Sequence, residues 1–270
     1  AAGTEAGAEA SARAASPAAA APLAARPPVP AASTERGDET IPLRGMRARI
    51  AEQMVRSKQL APHFTYADEC DMTEVARLRE AAKPLAAERG VHLTFLPFLV
   101  KALVAAVRKH PVVNSVVDEE NQAYVMRGDC HVGIATDTEA GLMVPVVKYA
   151  GRRSVLDLAA EIQHLTALAR SRRIALEDLK GGTISITSAG SIGGILATPI
   201  LNHPEVAILG VYRIQDRPVV RDGEIVIRKM TNLSITLDHR IVDGASAARF
   251  MNDLIRYLET PGLLLLDGGG

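Results

Sequence analysis

Apolar side chains recur every three or four positions in some stretches of this chain and every second position in others. The two periods separate helices from strands. Met46, Ile50 and Met54 predict a helix over residues 46–58. An extended stretch over 63–69 follows. Thr73 is placed to cap a helix that runs to about Glu88, with Val75, Leu78 and Leu85 on one face. Thr94 is placed to cap a very apolar helix to about His110, and Pro97 is tolerated in its first turn. Ser154 caps a helix carrying Leu158, Ile162, Leu165 and Leu168, and a last helix runs over about 245–258 until Pro261 stops it.

Strand signals fill the rest, over 122–126, 131–136, 142–147, 183–187, 206–212, 224–228 and 232–237. Strands and helices do not alternate regularly, so a doubly wound parallel sheet is not indicated. The expected fold is α/β, a mixed sheet with helices packed on one side. Residues 1–38 have no such pattern. They are mostly Ala and Pro with few large apolar side chains, which cannot offset the entropy of ordering. They read as an extended, mobile, disordered linker, and 39–270 as one core domain.

Charge and cysteine content narrow the function. Lys plus Arg and Asp plus Glu are 31 each, without the basic surplus that marks a nucleic-acid binder. No apolar run approaches the roughly 18 residues needed to span a bilayer. The two cysteines, Cys70 and Cys130, lie far apart, form no C-x-x-C and read as buried free thiols. No H-E-x-x-H or H-x-H pattern points to a metal.

Two stretches place chemistry where a core residue belongs. In "TLDHRIVDGA" (236–245), Asp238, His239, Arg240 and Asp243 crowd the end of an apolar strand. An imidazole can take and return a proton near neutrality, and a nearby carboxylate can orient it or hold the turn. The alternative is a salt-bridged strand end, Asp238 with Arg240. The remaining histidines (His63, His92, His110, His131, His164, His203) have no titratable neighbours at ligand or triad spacing and read as structural. In "TISITSAGSIGGI" (183–195), a strand ends on Thr187 and Ser188 and enters a glycine-rich loop. A hydroxyl there can donate to a developing oxyanion, or the loop is a plain tight turn. It lacks the phosphate-loop and G-x-S-x-G patterns.

"DHRIVDGA", "ITSAGSIGG", "TPILNHPEVAILGV" and "GIATDTEAGLMVPVV" together resemble the catalytic domain of dihydrolipoamide acyltransferases, the core (E2) components of 2-oxo acid dehydrogenase complexes. The likeness covers roughly 41–266. It implies a fold like that of chloramphenicol acetyltransferase and acyl transfer between dihydrolipoamide and coenzyme A. It implies His239 as general base and Thr187 as oxyanion donor. It also implies Asp243 as support for the histidine loop, paired with an arginine such as Arg44, Arg47 or Arg49. The implied partners are coenzyme A, a lipoyl domain not contained in this chain, and E1 and E3 components reached through regions also not contained here. The implied assembly is a homotrimer within a larger core, with His239 and Thr187 meeting across a subunit boundary. The leucines at 263–266 resemble the family's anchor between trimers, or else a tail packed on its own subunit. The expected compartment is the cytoplasm of a bacterium, or the mitochondrial matrix in a eukaryote. "GSIGG" differs from the succinyl class, and "PHFTYADECDMTEVARLREAAKPLA" looks closest to the branched-chain class, with acetyl the alternative. A non-catalytic scaffold of the same fold is the rival reading.

Overall fold

Alternation along the strands decides how the domain is layered: one sheet face carries Leu, Ile and Val, the other hydroxyls and a carboxylate. The computed structural model describes residues 38–267 except 140 and 191. The chain divides into two units, Ala1–Pro42 and Leu43–Gly270. The linker expected over 1–38 lies, but for Asp38, outside the described residues. All the helices and strands of the described residues belong to the second unit.

The first half of that unit contains α1 (Gly45–Leu60), β1 (His63–Asp71), α2 (Thr73–Glu88), α3 (Leu96–Lys109), β2 (Ser115–Asp118), β3 (Ala123–Met126), β4 (Val132–Ile134), β5 (Thr136–Thr138), β6 (Gly141–Met143) and β7 (Val146–Val147). The second half contains α4 (Val155–Arg170), β8 (Ile184–Ser188), β9 (Ala207–Val211), β10 (Gln215–Arg221), β11 (Glu224–Asp238), α5 (Gly244–Glu259) and α6 (Leu263–Asp267). A seven-stranded sheet runs β1-β11-β9-β8-β4-β7, with β10 added to the first half of β11. Its pairings are antiparallel except β4–β8 and β8–β9, which are parallel. The expected mixed α/β fold is thus the one formed.

On one face, Leu233, Ile235 and Leu237 of β11, Leu209 and Val211 of β9, and Ile184 and Ile186 of β8 are buried in the main core with α3 and α5. α3 is buried almost throughout, as its all-round apolar sequence requires. α5 buries Phe250, Met251, Leu254 and Tyr257 on one stripe.

The opposite face carries Thr65, Ser185, Thr187, Gly210, Ser234 and Thr236, by register. β8 and β9 are parallel neighbours, so the chain between Ser188 and Ala207 must return from one end of the sheet to the other. Its described residues form no helix or strand, and it lies over this polar face. A strap of that kind has no ladder for its carbonyls, and buried backbone groups need partners. Side chains supply them. Asn232 Nδ2 donates to Ile195 O at 2.8 Å, Tyr212 Oη to Ala197 O at 2.7 Å, and Ser57 Oγ to Leu201 O at 2.7 Å. Gly210 lies under this network. A Cβ there would sit 2.5 Å from Tyr212 Oη and 2.6 Å from Ser234 Oγ, so a larger residue would displace the groups that hold the strap.

The strap also buries a carboxyl. Glu205 accepts from Ser185 Oγ at 2.6 Å and from Asn202 Nδ2 at 2.9 Å. Burial pushes its pKa up to about 7, against the lowering effect of those two bonds. Because the folded state holds this proton more tightly than the unfolded state, the stability that this one group contributes is fully present at low pH. It falls as pH rises from about 4.5 to about 7. Relative to wild type, Glu205→Gln should remove that slope. The difference is on the order of 3 kcal/mol, read by denaturant unfolding at the two ends of the window.

Several expected elements differ. The separate strands expected at 224–228 and 232–237 are one continuous strand, β11, because residues 229–231 keep pairing with β10 and β1. The stretch 142–147 splits into β6 and β7. β2 and β10 lacked a signal; β10 contains Pro218, which only an edge strand accommodates. Thr73 does not cap α2. Its hydroxyl accepts the Lys229 N–H, and Asp71 Oδ1 accepts the Thr73 N–H. Leu78 and Leu85 are 44% and 50% exposed; the packed stripe of α2 is Val75, Ala76 and Ala86 instead. Thr94 lies one residue before the helical cap position of α3, and its hydroxyl accepts Leu96 N–H at 3.3 Å. Leu263 and Leu264 pack on the core, whereas Leu265 and Leu266 are exposed.

Candidate active site

β11 ends where its hydrophobic alternation meets Asp238, and the chain then turns through His239–Val242 into α5. Asp238 is buried and accepts from Arg240 Nε and Nη2, at 3.1 and 2.7 Å. The same guanidinium reaches Glu119 Oε1 at 2.9 Å, and Glu119 also binds His203 Nε2 at 3.1 Å. Asp238 first, then Glu119, hold the Arg240 proton more firmly than usual. The salt-bridged strand end weighed from the sequence therefore exists, and it serves as a rigid base for the turn.

His239 stands on that base. Its N–H donates to Pro62 O at 3.0 Å, and its ring lies 4.8 Å from that of Phe64, tilted by 56°. The imidazole is otherwise exposed. Four residues on, Asp243 is the N-cap of α5, and its Oδ1 accepts Ser246 N–H at 2.7 Å. Ser246 backbone and hydroxyl, then Arg249 and His239, hold its carboxyl below the usual range. The expected ion pair of Asp243 with Arg44, Arg47 or Arg49 is not among those of the described residues. The Asp243 carboxylate caps the helix that follows the histidine turn instead.

Thr187 is half-buried near the end of β8, on the polar face. Its register partner on β9 is Gly210, and Gly210 pairs with Ser234 on β11. β11 runs opposite to β8, so His239 lies five residues beyond that level, past the other end of the sheet. At about 3.3 Å per residue and about 4.8 Å per strand, the two side chains are on the order of 20 Å apart within one chain. The structure thus brings Asp243 to His239 but not Thr187. Ser188 alternates to the helix-covered side, where it lines a cavity of about 630 Å³ with Phe95, Gln163, Arg170 and Tyr212.

Burial raises Cys130 to about 12 and raises Cys70 as well, which makes both poor nucleophiles. Of the histidines read as structural, His110 pairs with Asp253 at 2.8 Å and His203 with Glu119. Sequence spacing gave no sign of these pairs, since the partners are 84 or more residues away. His63 and Glu119, which bracket the histidine turn, were missed for the same reason.

Residues 35–266 match the family of 2-oxoacid dehydrogenases acyltransferase (catalytic domain). The chain is 45% identical over 251 residues to the dihydrolipoyllysine-residue acetyltransferase component of pyruvate dehydrogenase complex from Staphylococcus aureus, covering 91% of this chain and 58% of that protein. The Staphylococcus epidermidis protein of the same name is 47% identical over 230 residues, with 85% and 53% covered. The chain thus spans between half and three-fifths of the length of these curated relatives. Among solved structures, it resembles the dihydrolipoamide acetyltransferase of Azotobacter vinelandii, with a TM-score of 0.82, 37% identity, and 88% and 99% of the two chains covered. It also resembles the cubic core of a pyruvate dehydrogenase multienzyme complex, with a TM-score of 0.82, 38% identity, and 90% and 100% covered. A chloramphenicol acetyltransferase shares the fold at 13% identity and a TM-score of 0.50. The two Staphylococcus relatives are named as acetyltransferases. The branched-chain likeness of residues 62–86 is corrected accordingly.

Proposed function

Because the chain belongs to the family of 2-oxoacid dehydrogenase acyltransferase catalytic domains, we propose that it transfers an acetyl group between dihydrolipoamide and coenzyme A. The observation that carries this reading is the exposed imidazole of His239, held on a turn that a buried Asp238–Arg240 pair and the Asp243 cap make rigid. In the direction of acetyl-CoA synthesis, the imidazole takes the proton from the coenzyme A thiol. The thiolate attacks the thioester carbonyl of acetyl-dihydrolipoamide. The Thr187 hydroxyl donates to the tetrahedral oxyanion. Collapse expels the lipoyl thiolate, which recovers the proton from the imidazolium. No proton is gained or lost overall, and no enzyme nucleophile is needed, in keeping with two buried, weakly acidic thiols.

The separation of His239 from Thr187 within one chain supports a site completed by a second copy, His239 from one and Thr187 from the next. Three such boundaries close a homotrimer. A larger core built of trimers, a lipoyl domain that delivers the acyl group, and E1 and E3 components are the partners we assign to the whole protein. The setting is the cytoplasm. A scaffold without chemistry has no need of an exposed histidine on so constrained a turn.

The deciding assay supplies dihydrolipoamide with acetyl-, isobutyryl- or succinyl-CoA. Acetyl-CoA should give the highest kcat/KM, by about tenfold or more over isobutyryl-CoA, since added methyl groups are discriminated by roughly 1–3 kcal/mol in a fitted pocket. Preference for isobutyryl-CoA would return the branched-chain reading, and absence of transfer from all three would leave the scaffold.

A further inference from the structure

Pro62 and the first two residues of β1 each bear on the histidine turn. Pro62 O accepts the His239 N–H, Phe64 touches the His239 ring, and His63 between them pairs in register with Asp238. The His63 ring is half-buried, and both its nitrogens are engaged. Nδ1 lies 2.7 Å from Ala61 O, and Leu201 N–H donates to Nε2 at 3.0 Å. A carbonyl can only accept and an amide N–H can only donate. These two partners therefore fix one tautomer, a neutral ring with its proton on Nδ1.

Leu201 belongs to the strap that returns from the Thr187 end of the sheet. It is fully buried, and its carbonyl is held by Ser57. His63 is thus a direct tie between the start of β1, which holds the His239 N–H, and the segment descending from the other half-site, beside the tie that Glu119 makes from Arg240 to His203. We infer that His63 is a positioning residue for the acyl-transfer reaction, acting through Nε2 as an obligate acceptor that fixes Pro62 and so the His239 backbone. This rests on the acyltransferase reading above. Asp238, His239 and Arg240 are the charged or titratable groups of β11 and its turn beside it. The first and last of these are already committed to each other, so neither replaces the lost bond.

Two near-isosteric substitutions separate donor from acceptor. His63→Gln places a carbonyl oxygen near the position of Nε2, and His63→Asn places an amide N–H near that of Nδ1. The test combines steady-state acetyl transfer with amide hydrogen exchange of a peptide spanning Leu201, in assembled protein. For His63→Asn we expect faster exchange at Leu201 and kcat lower by roughly 10- to 100-fold, as for a misplaced catalytic group. KM for coenzyme A should stay within about twofold, since the side chain does not reach substrate. For His63→Gln we expect exchange and kcat near wild type. Unchanged kcat in His63→Asn, or equal losses in both variants, overturns the proposal. If His63→Asn does not assemble, His63→Gln decides alone: assembled but slow protein sinks the idea, and near-normal protein supports it. Wild type that transfers no acyl group defeats the functional reading and the positioning role with it. The exchange data still report whether the bond to Leu201 exists.

Discussion

His239→Ala should lower acetyl transfer by about 10²–10⁴-fold, the range for loss of a positioned general base, and leave fold and assembly unchanged. The loss of rate follows from chemistry. A thiol of pKa about 8.5 is mostly protonated at neutral pH, so attack without a base waits for rare thiolate. The intact fold follows from the contacts of the side chain. The ring is exposed and lies against Phe64, and the N–H bond to Pro62 survives in alanine. The groups that shape the turn are Asp238, Arg240, Glu119 and the Asp243 cap, none of which is altered. Transfer rates with dihydrolipoamide and acetyl-CoA, set beside circular dichroism and size-exclusion profiles, decide the matter. Turnover within twofold of wild type would remove His239 from the mechanism. A collapsed assembly would make it structural.

The sequence made some of this legible because the signals were local. The periodic helices α4 and α5 and the apolar α3 came through, since each buries a face written in its own residues. Ser154 could be read as a cap because the capping box, Ser154 with Asp157, lies within four residues. The histidine turn was visible because charge interrupts a strand. What stayed hidden was set by distance along the chain. β11 looked like two strands because its pairing passes from β10 to β1 partway along, and no residue in it marks the change. The hydroxyls of Ser185 and Ser234 look like weak strand residues until the strap lies over them. Then they are what an unladdered segment requires. His63 and Glu119 carried no signal, for their partners are 138 and 121 residues away. The separation of Thr187 from His239 depends on β8 and β11 running in opposite directions, which no motif spacing encodes.

That opposition gives the second large effect its particular form. Thr187→Val should lower kcat by about 10²–10³-fold, as for loss of one oxyanion donor. KM for coenzyme A should change little, because the hydroxyl is engaged only as charge develops. Valine keeps the shape of threonine at a half-buried strand position, so the sheet should stand. If His239 and Thr187 meet across subunits, the two inactive variants complement each other. Within a mixed trimer, a Thr187→Val subunit still offers its histidine, and a His239→Ala neighbour still offers its threonine. Random co-assembly of equal amounts places such a pair at about one quarter of boundaries in a cyclic trimer. The mixture, unfolded and refolded together, should therefore regain about a quarter of wild-type activity, while the separately refolded variants added afterwards should regain far less. A site contained within one chain gives no recovery in either case, because every subunit then lacks one of its two groups.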